Sequence, residues 1–213
     1  MKELKTKQEI AKADVYRLLA ACFYEPTNEF LEENLFSQLE EQLSQISGEL
    51  AAMAKEMDVS FRKIGPEPLL LDYTRLFLGP FDILAKPYGS VYLDGEKVVM
   101  GDSTMRAIDL YQRGGFEIAA DFSEMPDHVA AELEYLYLLT LRLAQVGEEE
   151  SDELKRLNVL KNKFLQEHLG NWVSTLADRI RKSAETDFYQ RVADLTERFV
   201  FEDRMSLAES GQI

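Results

Sequence analysis

An all-α fold is what the chain predicts, as a single helical domain spanning 1–213 with about eight to ten helices and one long irregular hinge near 79–102. Three observations carry this reading. Apolar residues recur at three- and four-residue spacing on both sides of the hinge. Helix stops fall between the periodic segments, at Pro26, Gly79-Pro80, Gly114-Gly115 and Gly147. One short stretch, SVYLDGEKVV, is the sole candidate for strand pairing, with Asp94-Gly95 at a turn; a partly extended loop is the stronger reading of it.

In order, Val15, Leu18, Leu19 and Cys22 line one face of a first helix that ends before Pro26. Thr27 or Asn28 caps a second helix with Leu31, Leu35, Leu39, Leu43 and Ile46 in one stripe. A third amphipathic piece lies near about 49–63, and PEPLLLDYTRLF makes a short helix closed by Gly79 and Pro80. Residues 81–101 are punctuated by Pro87, Gly89, Gly95 and Gly101. Helical spacing resumes from Ser103 to Gly114 and from Pro126 to Gly147, then continues in three segments at about 152–168, 171–184 and 187–207. No fixed-period repeat is present, which argues against a regular solenoid.

The 213 residues are 46% hydrophobic and 30% charged, the balance of a folded globular protein. Lys and Arg total 24 against 39 Asp and Glu, a net charge of -15. Such a surface repels nucleic acid and anionic membranes and steers a basic peptide toward it. Cys22 is the single cysteine, which excludes an internal disulfide and points to core packing in a reducing compartment. No segment reaches the ~18–20 apolar residues that span a bilayer, and charges interrupt the N-terminal stretch where a signal peptide would be apolar. The expected location is cytoplasmic.

The segment DFSEMPDHVAAELEYLYLLTLRLA, 121–144, concentrates chemistry. His128 and Glu132, four apart on an expected helix, would share a face beside Glu124 and Asp127. That set resembles a metal-dependent or nucleotide hydrolase centre. It lacks a His-Glu-x-x-His or Glu-x-x-His pattern, and the chain carries no phosphate-loop glycine motif and no nucleophile elbow. Helix capping accounts for Pro126 and Asp127 but leaves His128 over, because a histidine ring gains nothing from a helix N-terminus and would have its pKa lowered there. Tyr73, Leu76 and Phe77 share a helix face, the kind that is usually core, while Phe81, Pro87, Tyr88 and Tyr92 lie on the irregular stretch. Beside an acidic helix start, the loop residues would wall a groove that is apolar on one side and negative on the other.

Two motifs read together, YTRLFLGPFDILAKPYGSVYLDG at 73–95 and EMPDHVAAELEYLYLL at 124–139, resemble the TorD/DmsD family of redox-enzyme maturation chaperones. FLQEHLGNWVSTLADRI and DFYQRVADLTERFV are looser matches, so the resemblance covers nearly the whole chain. It implies a non-catalytic, TorD-like cytoplasmic chaperone that binds the twin-arginine leader, and sometimes the mature part, of an apo molybdopterin oxidoreductase before export. It also implies no resident cofactor, weak guanine-nucleotide binding in some members, and a monomer or domain-swapped homodimer. The family's leader-binding positions fall on Tyr73, Leu76, Phe77, Pro87, Tyr88, Pro126, Asp127 and His128, with Glu124 and Glu132 as supporting carboxylates. Tyr73 and Tyr88 stand where some members carry Trp. The alternative classes are a hydrolase centred on Glu124, Asp127, His128 and Glu132, and a structural helical subunit.

Overall fold

The computed structural model describes residues 2–79, 82–95, 98–118, 124–147 and 151–209, with the backbone alone at 2–5 and 208–209. The helices are α1 (Lys2–Ala21), α2 (Glu29–Glu32), α3 (Leu35–Ser44), α4 (Gly48–Ile64), α5 (Pro66–Tyr73), α6 (Gly89–Leu93), α7 (Asp102–Gly114), α8 (Val129–Gln145), α9 (Ser151–Glu167), α10 (Leu169–Ser183) and α11 (Asp187–Glu209). A π-helical turn, Thr74–Leu78, extends α5. No strand forms among the described residues, as the apolar spacing predicts.

Local chemistry explains several boundaries. The Ser47 hydroxyl accepts from the Leu50 amide at 3.4 Å and caps α4, and Pro66 opens α5, where its missing N–H costs nothing. Gly115 closes α7 in the left-handed region at φ 81°. Two expectations are corrected. The stripe Leu31 to Ile46 is broken into α2 and α3 by Asn34, which adopts φ 55°. SVYLDGEKVV forms neither a hairpin nor an extended loop over its described part, since Gly89–Leu93 is the helical turn α6. Glu96, Lys97 and Phe81 lie outside the described residues. The Asp94 carboxylate, expected at a turn, instead accepts from the Ser103 amide at 2.8 Å and hydroxyl at 2.6 Å, satisfying a donor at the start of α7.

Apolar side chains from both sides of the 79–102 stretch enter one connected cluster. Helix α1 packs along α8, α3 along α4, and α10 along α11. Phe36, Phe61 and Phe188 meet at ring separations of 5.0 to 5.8 Å, each burying its whole ring, worth about 1.5–3 kcal/mol per side chain. Cys22 is buried, and burial pushes its thiol up to about 12, so it is an inert core residue as expected. Among the described residues no helix is long and apolar enough to cross a membrane.

Three buried carboxylates knit the helices. Asp72 on α5 accepts from the Glu185 and Thr186 amides and the Thr186 hydroxyl at 2.7 to 3.2 Å, holding the entry to α11. Asp203 on α11 accepts from Lys12 of α1, Lys161 of α9 and the Tyr16 hydroxyl at 2.7 to 2.9 Å. Glu132 on α8 joins α10 through His168 and Trp172.

Candidate functional site

The two motif segments meet through one antiparallel bridge between Tyr88 and His128. The Gly89 amide donates to the Asp127 carbonyl and the Val129 amide to the Pro87 carbonyl, both at 2.8 Å. Fully buried Asp127 adds a third tie, its Oδ2 accepting from the Ser90 amide at 2.7 Å and so capping α6. Gly89 packs closely here: a Cβ would lie 3.1 Å from both Glu132 Oε1 and Trp172 Nε1, so a larger residue requires those side chains to shift. Tyr92 then stacks on Trp172 at 5.4 Å. The segment around Tyr88 is therefore held by backbone, carboxylate and ring contacts together.

His128 is the N-cap of α8, and its Nδ1 accepts from the Ala130 amide at 3.1 Å. That corrects the expectation that a histidine gains nothing at a helix start: a neutral ring offers a nitrogen lone pair to an orphan amide as an Asn or Asp oxygen does. The bond assigns the ring proton to Nε2. Burial pushes the His128 pKa down to about 4, with the Asp127 charge working in the opposite direction. The ring is thus uncharged at neutral pH.

This shift makes an expected result. The unfolded chain binds the His128 proton at about 6.5 and the folded chain only near 4, so the stability it contributes is complete above the unfolded value and is lost as pH falls from about 6.5 toward 4. The loss amounts to about 3 kcal/mol. Urea denaturation of the protein and of its His128→Asn variant, which keeps a capping acceptor, should diverge in slope across that window; parallel acid limbs would contradict it.

Around the buried histidine the surface is aromatic and acidic. Tyr24 stacks on His128 at 6.4 Å and 14°, and Tyr88 meets it edge-on at 5.4 Å. The Tyr88 hydroxyl donates to Glu124 at 3.2 Å, and the Tyr24 hydroxyl donates to Glu134 at 2.9 Å. Burial, reinforced by Glu124, raises the Tyr73 and Tyr88 hydroxyls to about 12, so they act as donors throughout the physiological range. Among the described residues neither Glu124 nor Glu134 forms an ion pair with Lys or Arg. Two carboxylates positioned by tyrosine hydroxyls beside aromatic rings suit a guanidinium, which binds carboxylate oxygens in a fork and stacks on rings.

The remaining sequence-derived positions are placed differently from the expected rim. Leu76 and Phe77 are 0% and 2% exposed, in the core behind Tyr73, and present no surface in this conformation. Pro87 is buried, Tyr73 nearly so, and Tyr88, Pro126 and Glu124 are half-buried. Asp127 and His128 lie beneath the surface rather than at its rim. Glu132 is fully buried and turned away, with His168 Nε2 at 2.7 Å and the Trp172 indole donating at 3.1 Å. Among the described residues no three His, Cys, Asp or Glu side chains converge as metal ligands would. Tyr24 and Glu134 were not singled out from the sequence; Tyr24 precedes a helix-ending proline and Glu134 interrupts an apolar helix, signals too common to select them.

The model of the nitrate reductase delta subunit family matches residues 36–178. The chain belongs to that family. A relative of this family member named chaperone protein TorD, from Shewanella pealeana, is 25% identical over 206 residues, covering 90% of this chain and 87% of its own. A relative named "Probable Tat proofreading chaperone DmsD", from Haemophilus influenzae, is 32% identical over 124 residues, 58% of this chain and 54% of its own, so this match spans about half of that relative. A solved structure of a candidate redox enzyme maturation protein from Archaeoglobus fulgidus shares the fold with a TM-score of 0.56 at 22% identity, covering 90% of this chain and 93% of that one. The TorD/DmsD membership indicated by YTRLFLGP and EMPDHVAAEL is upheld.

Proposed function

We propose that this family member is a system-specific chaperone that holds the twin-arginine leader of a molybdopterin-dependent oxidoreductase until cofactor insertion is complete, acting in the cytoplasm and without a catalytic step or resident cofactor. The observation that carries the reading is the pair of half-buried carboxylates, Glu124 and Glu134, each fixed by a tyrosine hydroxyl, with both tyrosine rings packed on His128. A twin-arginine leader offers two guanidinium groups to such a surface, and the net charge of -15 speeds its approach. Relatives named as Tat proofreading chaperones support a twin-arginine leader as the bound segment.

In this reading Tyr88 and Glu124 touch the leader, Tyr73 and Pro126 flank it, and Asp127 and His128 support the surface from below. Leu76, Phe77, Pro87 and Glu132 act by holding the backbone that presents it. Glu124→Gln combined with Glu134→Gln should weaken a leader peptide at least tenfold, from two charged hydrogen bonds worth roughly 1.5–3 kcal/mol each, less solvent screening. Tyr88→Ala should weaken it by about fivefold or more through lost stacking. Calorimetric titration with a synthetic leader, at low and high salt and with folding checked by circular dichroism, decides this; unchanged affinity in both variants would remove the assignment. Co-purification from anaerobically grown source cells would then identify the client.

A further inference from the structure

We propose that the cleft between α8 and residues 116–118 seats the apolar run that follows the arginines in the same leader, an inference that rests on the leader-binding reading. The cleft has a volume of about 200 Å³ and is lined by Phe116, Ile118, Ala131 and Leu138 over a floor of Tyr111 and Tyr135, with the acidic residues Glu117 and Glu134 also in its lining. A cavity of ~150 Å³ accommodates benzene, so this one takes one or two aliphatic side chains and not a drug-sized ligand.

Two features tie it to the carboxylate surface. Glu134 belongs to both, since it lines the cleft and accepts from Tyr24, which stacks on His128. The Tyr111 hydroxyl in the floor donates to the Pro126 carbonyl at 2.8 Å, and Tyr135 donates to the Leu110 carbonyl at 2.9 Å, so the floor is braced against the segment that carries Asp127 and His128. A continuous path of contacts runs from Glu124 through Tyr88, His128 and Tyr24 to Glu134 and the cleft.

Position along α8 gives the path a direction. His128 caps the helix start, and Ala131, Glu134 and Leu138 follow on one stripe. From 131 to 138 the helix rises about 10 Å, the span of roughly three extended residues. A peptide with its guanidinium groups at Glu124 and Glu134 and its apolar residues running toward Leu138 matches the charge and the order of groups along this path. Ile118 and Leu138 are 37% and 39% exposed, which leaves apolar surface for such a segment to cover. Of the apolar positions that the family resemblance assigns to the leader, Leu76, Phe77 and Pro87 are buried and Tyr88 is half-buried, so this cleft supplies most of the apolar surface.

The test uses two synthetic fluorescent peptides: one with two adjacent arginines, a short polar spacer and a run of leucines and alanines, the other with that run replaced by serine and glycine. Anisotropy titrations with the full chain should give tighter binding of the first, lost by about tenfold in Ile118→Asn/Leu138→Asn while the second peptide is unaffected. Ala131→Leu, which fills the cleft from α8, should act the same way and serves if the double variant does not fold. Glu124→Gln/Glu134→Gln should weaken both peptides. If the cleft variants bind the first peptide as the parent does while the carboxylate variant loses it, the cleft is not the seat and the leader reading stands. If the parent binds neither peptide, both fall.

Discussion

Asp203→Ala is expected to cost about 3–5 kcal/mol of unfolding free energy, the largest effect of any single substitution proposed for this chain. The carboxylate is buried, and it accepts from Lys12 at 2.7 Å, from Lys161 at 2.9 Å and from the Tyr16 hydroxyl at 2.8 Å. Burial alone would raise its pKa, but the Lys161 and Lys12 ammonium groups outweigh burial and hold it far below the usual carboxylate range. A depressed carboxyl contributes its stability above the unfolded value, near ~4, and loses it as pH falls further, so the full effect is present at pH 7. Removing Asp203 strands Lys161, which is 0% exposed, without its principal counter-charge. Urea denaturation at pH 7 reads the loss, and Asp203→Leu combined with Lys161→Met should recover part of it, because an apolar pair avoids stranding Lys161 while Lys12 keeps Glu9 and the buried Tyr16 hydroxyl still lacks its acceptor. A loss below about 1 kcal/mol in the single variant would mean that water reaches the cluster.

Glu132→Ala comes second, at about 2–5 kcal/mol, because it leaves two buried donors without an acceptor. Glu132 Oε1 lies 2.7 Å from His168 Nε2, and Oε2 accepts from the Trp172 indole at 3.1 Å. Burial works to lower the His168 pKa, yet the Glu132 carboxylate overcomes it and raises the imidazole above its ordinary value. Glu132→Gln keeps an acceptor but removes the charge, so an NMR titration should show His168 titrating lower in that variant than in the parent. Equal titrations would show that the carboxylate is not what holds the proton. Gly89 rests against this pair, so loss of Glu132 should also loosen the segment that presents Tyr88 and weaken leader binding.

The helices were legible from the sequence where one helix face meets one apolar surface, since three- and four-residue spacing records that burial directly. The pairing of 73–95 with 124–139 was also legible, as two motifs that the bridge at Tyr88 and His128 brings into contact. The roles of single residues were less so. His128 and Glu132 share a face only if both are helical, but His128 adopts φ -66° and ψ 138° as the cap, and four-residue geometry does not apply to it. The stretch around Asp94-Gly95 reads as a partly extended loop with a hairpin as the lesser alternative, and the helical turn α6 is set by Asp127, 37 residues away from Ser90, while Ser103 takes the Asp94 carboxylate. Leu76 and Phe77 share a face with Tyr73, and spacing cannot say that Phe23 and Tyr189 cover it.

The sequence by itself determined the all-α class, the order of the long helices, the acidic surface and the family, because spacing, composition and contiguous motifs are local properties of the chain. Only the tertiary structure decided which of the motif residues reach solvent, that His128 caps α8 through its ring nitrogen, and that Tyr24 and Glu134 lie beside it. Those outcomes depend on which helix faces are mutually buried and where each polar group finds its partner. Contacts between residues far apart in the chain settle both.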